Sequence, residues 1–270
     1  MDGKRVVTAI ALTLIVAWIV LAASLAVYVI VAASLAAMGL WEFLTIAGRK
    51  SAGLSRVIAW WVGMAFVASA LWSGGQVSSP DAIVLAVGVI VLFGLQLMRP
   101  LNRASLLGIA LGLTGALYVG WLFGFIIRLK LLPNGTAWVA LLLLTAKAGD
   151  VGAYLVGTRW GRHRLLPRVS PNKSVEGALG GLAFSVVGAV VVQRVGWVDS
   201  LPEAVVLGVL LGALAQLGDL VESMIKRDYG VKDSGSLFPG LGGALDLIDS
   251  LLFTAPVLYT YVVLVHGVAS

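Results

Sequence analysis

Acidic residues at the ends of two apolar segments have the clearest potential for chemistry. Asp246 and Asp249 are three residues apart where the last apolar run begins, so a helix would place both carboxylates on one face, able to share a divalent cation. Asp219, Ser223 and Lys226 are spaced by four and three residues at the end of the preceding run, which again indicates one helix face. Because unpaired charge beside an apolar span is costly, this pattern favours a functional role.

A glycine-rich loop, SGSLFPGLGG, joins the two segments. Its glycines, among them Gly242 and Gly243, would let the backbone approach a ligand closely. With Lys226 and Lys232 nearby, the loop and its flanking acids resemble a site for Mg²⁺ and a polyphosphate. The alternative is that these acids pair with neighbouring lysines at a solvated membrane rim.

A charged pair, Lys147 and Asp150, lies three residues apart inside an otherwise apolar segment. Burial of either charge alone would cost several kcal/mol, so a functional role is the first interpretation. A mutually neutralising pair that joins two helices is the second. An ion path that also uses Asp219 is the third.

The motif SPNKSVEG predicts the start of a helix, because Pro171 and Ser174 suit a helix N-terminus. Such an end favours anions, and Lys173 would add a point charge for a phosphate. Asn172 and Ser174 could support it by hydrogen bonds.

The apolar segments that hold these residues indicate an integral membrane protein. The 270 residues are 60% hydrophobic and 12% charged, with a mean hydropathy of +1.00. The runs are continuous rather than alternating, which predicts helices and an all-α fold. They are Val6–Trp41, Val57–Trp72, Ala82–Met98, Ala104–Ile127, Thr136–Val156, Gly177–Gln193, Ala204–Leu217 and Leu251–Val265.

The number of spans depends on the first run. One helix over Val6–Trp41 would be about 54 Å long, against a hydrocarbon core of about 30 Å, so two short spans fit better. We therefore expect a polytopic protein with about nine transmembrane helices. The absence of cysteine excludes thiolate chemistry, and the two histidines are far apart, which disfavours a histidine metal site.

The basic residues predict a cytoplasmic N-terminus, because most lysines and arginines then lie on the inner side. With this orientation Arg128, Lys130 and Arg194 lie outside, and Lys147 lies within a span. The inner residues are Lys4, Arg5, Arg49, Lys50, Arg56, Arg99, Arg103, Arg159, Arg162, Arg164, Arg168, Lys173, Lys226, Arg227 and Lys232.

The stretch SMIKRDYGVKDSGSLFPGLGGALDLID resembles the C-terminal signature of the phosphatidate cytidylyltransferase family, S-x-x-K-R-x4-K-D-x-G-x2-F-P-G-H-G-G-x-x-D-R-x-D. DVGAYLVGTRWGR and SPNKSVEG are similar to the upstream blocks of the same family. The resemblance covers about Lys147 to Ser250. Two positions depart from it: Leu241 stands where the family usually has His, and Leu247 where it usually has Arg. The matching residues are Ser223, Lys226, Arg227, Lys232, Asp233, Gly235, Phe238, Pro239, Gly240, Gly242, Gly243, Asp246 and Asp249.

The resemblance implies that CTP and phosphatidate react to give CDP-diacylglycerol and pyrophosphate. It implies Mg²⁺ as cofactor, with a second cation compatible, and no nucleic-acid partner; a homo-oligomer is possible. The active site would face the cytoplasm from the cytoplasmic (inner) membrane. Residues 1–130 would form the N-terminal and middle transmembrane helices, and residues 131–270 the catalytic region.

These roles are assigned by position in the motifs. The two departures leave the carboxylates untouched, while removing a possible phosphate contact and a fixed positive charge. We expect catalytic roles for Lys226, Ser223, Asp246 and Asp249; substrate contacts from Lys173, Asn172, Ser174, Arg227, Lys232, Gly242 and Gly243; and metal ligands among Asp219, Asp246, Asp249 and Asp150.

Three other functions stay open at this point. A CDP-alcohol phosphotransferase would also cluster aspartates at a membrane face, but its D-G-x2-A-R-x8-G-x3-D-x3-D pattern is absent. A secondary transporter or ion-coupled carrier could use Lys147, Asp150 and Asp219, although most charge lies in the inner loops. A non-catalytic lipid scaffold is the third.

Overall fold

The computed structural model describes residues 3–49, 56–72, 79–98, 105–238 and 242–267. Within these ranges the chain is mainly helical, and a π-helical segment, Ala116–Trp121, joins two of the helices. The helices are α1 (Gly3–Leu21), α2 (Leu25–Ala47), α3 (Arg56–Trp72), α4 (Ser79–Leu97), α5 (Ser105–Gly115), α6 (Leu122–Leu131), α7 (Gly135–Trp160), α8 (Val175–Arg194), α9 (Leu201–Asp228) and α10 (Ala244–His266).

Seven helical stretches of the described chain are long and apolar enough to cross a membrane. The α5, π and α6 segments form one of them, Leu106–Leu131. Two shorter apolar stretches, Ala11–Leu21 and Arg56–Trp72, accompany the seven. The all-α membrane architecture fits these findings, whereas the expected count of nine spans is not confirmed.

The first apolar run is divided into two helices, as predicted. The break lies between Leu21 and Leu25, where the Ser24 hydroxyl accepts a hydrogen bond from the Val27 amide at 3.4 Å. The second helix differs from the prediction, because it continues past Trp41 through Glu42 to Ala47. Glu42 is thus the one charged residue of an otherwise apolar helix, and it contributes to the site.

A small β-hairpin departs from the all-α expectation. Strands β1 (Arg164–Leu166) and β2 (Ser170–Ser174) pair antiparallel, with Arg164 opposite Ser174 and Leu166 opposite Ser170. The hairpin connects α7 to α8 and extends β2 towards α9. Ser174 then caps α8 as predicted, because its hydroxyl accepts a hydrogen bond from the Gly177 amide at 3.1 Å, whereas Pro171 lies in β2 and not at the helix start.

Helix α10 lies at the centre of the bundle and packs against α2, α6, α7 and α9. Close approach to α9 depends on Gly218, where an added Cβ would lie 2.5 Å from the Asp249 carbonyl oxygen. No larger side chain fits at that point without displacing a helix. The acidic ends of α9 and α10 are therefore held side by side.

One basic residue expected in an outer loop is instead buried. The Arg128 side chain is fully buried in α6 and pairs with Asp81 of α4, with Nη2 at 2.6 Å from Oδ1. Ser69 of α3 donates to the same Asp81 oxygen at 2.5 Å. A charge in the bundle interior needs a partner of opposite charge, and Asp81 is that partner for Arg128.

Candidate active site

Three carboxylates from α9 and α10 converge at one end of the bundle. Asp219 and Glu222, three residues apart on α9, face Asp249 of α10, and one oxygen from each lies within 4.8 Å of the others. Glu222 and Asp249 are buried. Three carboxylates at this separation repel one another strongly unless positive charge lies between them. A divalent cation would supply that charge. We call these residues the three-carboxylate cluster.

Lys226 supplies part of that positive charge. Its ammonium nitrogen lies 2.5 Å from Glu222 Oε2 and 2.5 Å from Asp246 Oδ1. The lysine side chain is only 11% exposed, so both ion pairs lie in a largely water-free environment. Lys226 therefore connects the three-carboxylate cluster to the first turn of α10.

Asp246 lies beside the cluster rather than within it. Its Oδ2 accepts hydrogen bonds from the Gly243 amide at 2.7 Å, the Ser234 amide at 3.0 Å and the Ser234 hydroxyl at 2.7 Å. Its other oxygen meets Lys226. Asp246 thus caps α10 and fixes the loop that precedes it, and the cluster contains Glu222 where the sequence led us to expect Asp246.

Lys173 brings a second ammonium group to the cluster from the hairpin. It forms an ion pair with Asp219, which also accepts a hydrogen bond from the Ser223 hydroxyl at 3.4 Å. The neighbouring Asn172 is exposed. Ser174 is committed to capping α8, so its hydroxyl oxygen already has a donor.

Lys147 and Asp150 form the predicted pair on α7, with Nζ 3.0 Å from Oδ2. Both side chains are about half exposed, at 51% and 49%. Helix α7 packs against α9 and α10, the two helices that carry the cluster. The pair therefore stands next to the three-carboxylate cluster, with Asp150 outside it.

The glycine-rich loop is closed by a short backbone bridge. Phe238 and Gly242 exchange hydrogen bonds of 2.9 and 3.1 Å. Gly242 has φ of 92°, a left-handed conformation that glycine adopts without strain. Pro239, Gly240 and Leu241 lie outside the described residues, so the Leu241 departure is not described. Leu247 is partly buried and packs against the apolar core.

Two predicted substrate contacts lie on the rim. Arg227 donates to the Val231 carbonyl at 3.2 Å and is exposed, as is Lys232. Neither side chain is drawn into the three-carboxylate cluster. Their roles as substrate contacts stay predictions.

Glu42 of α2 is a site residue that the sequence reasoning missed. Its carboxylate accepts hydrogen bonds from the Ser234 hydroxyl at 2.8 Å, the Ala244 amide at 3.0 Å and the Leu245 amide at 2.9 Å. It therefore holds the N-terminus of α10 from more than 200 positions away in the chain. A signal was present: Glu42 is the one charged residue between Arg5 and Arg49.

Glu222 was also missed, although its spacing indicated it. It lies three residues after Asp219 and four before Lys226, on the helix face already identified.

Comparison with known proteins identifies one family. The family model described as the cytidylyltransferase family matches residues 3–265. A phosphatidate cytidylyltransferase of Synechocystis sp. is 38% identical over 215 residues, which cover 68% of this chain and 71% of that protein. Enzymes with the same name from Staphylococcus aureus and Bacillus subtilis are 40% and 42% identical, over 66% and 54% of their own lengths.

Proposed function

The chain belongs to the cytidylyltransferase family, and we propose that it makes CDP-diacylglycerol and pyrophosphate from CTP and phosphatidate. The observation that carries this proposal is the three-carboxylate cluster with lysines around it, at one end of a helical membrane bundle. Relatives named phosphatidate cytidylyltransferase supply the substrates.

The charges of the site suit a divalent cation. The three-carboxylate cluster and the ion pairs at and beside it comprise five carboxylates and three lysines, which leaves two formal negative charges that one divalent ion would neutralise. Each lysine touches at least one of the carboxylates. The acids are Asp150, Asp219, Glu222, Asp246 and Asp249, and the lysines are Lys147, Lys173 and Lys226.

The residues present fit such an ion. Asp219, Glu222 and Asp249 offer hard oxygen donors, and the Glu222 Oε1 atom is buried without a hydrogen-bond partner among the described residues. We infer that these three residues hold Mg²⁺, while Asp246, predicted as a ligand, orients Lys226 and the loop. A bound Mg²⁺ would neutralise phosphate charge and polarise the phosphoryl oxygens.

The reaction needs little proton transfer. An oxygen of the lipid phosphate, already ionised near neutral pH, attacks the α-phosphorus of CTP. The bond from that phosphorus to the bridging oxygen breaks, and pyrophosphate leaves with the electron pair. Lys226 and Lys173 are placed to offset the negative charge of the two reactants, and this offset lowers the barrier to their approach.

The bundle supports a reaction at the cytoplasmic boundary of the cytoplasmic membrane. Arg49, Arg56, Arg159 and the hairpin lie at the end of the helices that carries the site, whereas Arg194 lies at the opposite end. This asymmetry favours the cytoplasmic side for the site. The lipid tails would remain in the bilayer while the headgroup reaches the cluster.

Membership of this family favours the transferase over the carrier for which Lys147, Asp150 and Asp219 were candidates. In the structure, Lys147 and Asp150 pair with each other at 3.0 Å beside the cluster. The pair is therefore better explained as part of the electrostatics of the active site.

The direct test measures pyrophosphate release by the purified protein with CTP, phosphatidate and Mg²⁺. We expect Asp249→Asn to lose at least about a hundredfold in turnover, because one cluster charge disappears without a change of shape. Asp199→Asn, on an exposed loop at the far end of the bundle, is the matched control and should keep full turnover. Lack of CTP-dependent turnover in the parent would overturn the proposal.

A further inference from the structure

The Tyr118 hydroxyl is a buried polar group without a partner. The residue is 9% exposed, and its oxygen has no hydrogen bond within the described part of the chain. Buried tyrosine hydroxyls ordinarily find a partner, because an unmade hydrogen bond forfeits the hydration of the group. An orphaned hydroxyl in a native fold therefore points to a group that binds there.

The position of Tyr118 is set by the π-helical segment and by two aromatic rings. Its ring packs against Phe43 of α2 and Phe253 of α10, with centroid distances of 5.9 and 6.3 Å. Phe253 follows Asp249 by four residues and so shares its helix face. The Tyr118 ring thus lies one turn along α10 from a carboxylate of the cluster.

Helix α10 carries both the Phe253 ring that Tyr118 packs against and the Asp249 carboxylate of the cluster. An acceptor of the cluster is orphaned as well: the Glu222 Oε1 atom has no hydrogen-bond partner among the described residues, while its Oε2 meets Lys226. The hydroxyl and the carboxylate oxygen do not satisfy each other. A third group between them would satisfy both.

We propose that Tyr118 is a positioning residue whose hydroxyl donates a hydrogen bond to an oxygen of the group held by the three-carboxylate cluster. That oxygen belongs either to a water on the cation or to a phosphate of the nucleotide. The inference rests on the proposed function, since it requires that the cluster binds a cation. When this group binds, the Tyr118 hydroxyl gains a hydrogen-bond acceptor, and the accepting oxygen is held in one position.

The test compares Tyr118→Phe with Tyr28→Phe by titrating the purified protein with Mn²⁺, followed by electron paramagnetic resonance. Tyr28 is the matched control, because it is also buried but its hydroxyl donates to the Ile126 carbonyl at 3.0 Å. We expect Tyr118→Phe to bind Mn²⁺ about tenfold more weakly, with an unchanged melting temperature in the absence of metal. Tyr28→Phe should melt at a lower temperature and bind Mn²⁺ like the parent.

A titration with CTP present separates the two oxygens. Weakening with Mn²⁺ alone identifies a metal-bound water, and weakening only with CTP identifies a phosphate oxygen. Equal binding by Tyr118→Phe and the parent in both titrations would overturn the inference, as would a parent that binds no Mn²⁺ in either. Pyrophosphate release by the parent reports on the proposed function separately, so the two failures are distinguishable.

Discussion

Lys226 is the residue on which the charges of the site depend most, because it pairs with Glu222 and Asp246 at once. Removal of one partner from a buried ion pair costs about 3–5 kcal/mol, since the other charge is left without compensation. We therefore expect Lys226→Met to lower both turnover and the melting temperature. The melting temperature in detergent and pyrophosphate release measure the two effects.

A second variant separates charge balance from catalysis. Adding Glu222→Gln to Lys226→Met removes one of the two stranded carboxylates, so stability should recover in part while turnover stays low. Lys130→Met is the matched control: this lysine donates to the Val20 carbonyl and the Thr136 hydroxyl, both at 2.7 Å, at the far end of the bundle. Normal turnover in Lys226→Met would contradict the role given to Lys226.

Single side chains were only partly predictable from the sequence. Asp219 and Asp249 could be selected because each adjoins an apolar run, and the structure places them together. Glu222 occupies the position in the cluster that was expected of Asp246, because helix spacing gives the face of a residue but not which neighbour meets it across the interface. Glu42 could be noticed as a lone charge in an apolar stretch, but its role could not be predicted, since its partners lie about 200 residues away.

At the scale of the element, the close contact of α9 and α10 at Gly218 sets the separation of the cluster residues. A Cβ at this position would lie 3.3 Å from the Ser250 Cα and nearer to the Asp249 carbonyl. Gly218→Ala should push Asp219 away from Asp249, and a displacement of about 1 Å can cost about a hundredfold in rate. Pyrophosphate release measures the loss.

Gly94 of α4 provides the control for this substitution. A Cβ added there meets no atom within 4 Å, so Gly94→Ala should leave turnover unchanged. Equal turnover in the two variants would show that the helix contact at Gly218 does not determine activity.

The helices were largely predictable, since uncharged runs of sufficient length can satisfy their backbone only as helices in lipid. The π-helical segment was not, because it depends on tertiary contact: a Cβ at Gly120 would collide with the backbone of Gly63 in α3. The β-hairpin was hidden by its arginines, which were interpreted as determinants of topology. Its strands nevertheless bring Lys173 to Asp219.

At the scale of the whole molecule, the site is assembled from distant parts of the chain. Helices α2, α7, α9 and α10 and strand β2 all contribute. The division into residues 1–130 and 131–270 stays a prediction, and Glu42 of the first part contacts Ser234 and Ala244 of the second. The opposite end of the bundle has its own polar contacts, in which Tyr261 and His266 of α10 meet Glu203 of α9 at 2.9 and 3.0 Å. Polar contacts at both ends thus fix α9 against α10.

The buried Arg128–Asp81 pair should matter for stability rather than for chemistry, because it lies away from the cluster. Asp81→Ala leaves the Arg128 charge uncompensated, and we expect a loss of about 3–5 kcal/mol in stability. The melting temperature should fall, while turnover of the folded protein below that temperature stays near the parent value. Asp199→Ala, an exposed acid, should change neither quantity.

The central claim, that Asp249 helps to hold the catalytic cation, can be tested by changing the metal preference of the protein. The chain has no cysteine, so Asp249→Cys introduces a single thiolate, a soft ligand that favours Cd²⁺ over Mg²⁺. We predict that this variant is nearly inactive with Mg²⁺ and regains pyrophosphate release with Cd²⁺, whereas Asp246→Cys regains none. Full activity of Asp249→Cys with Mg²⁺, or the same Cd²⁺ response in both variants, would contradict the account.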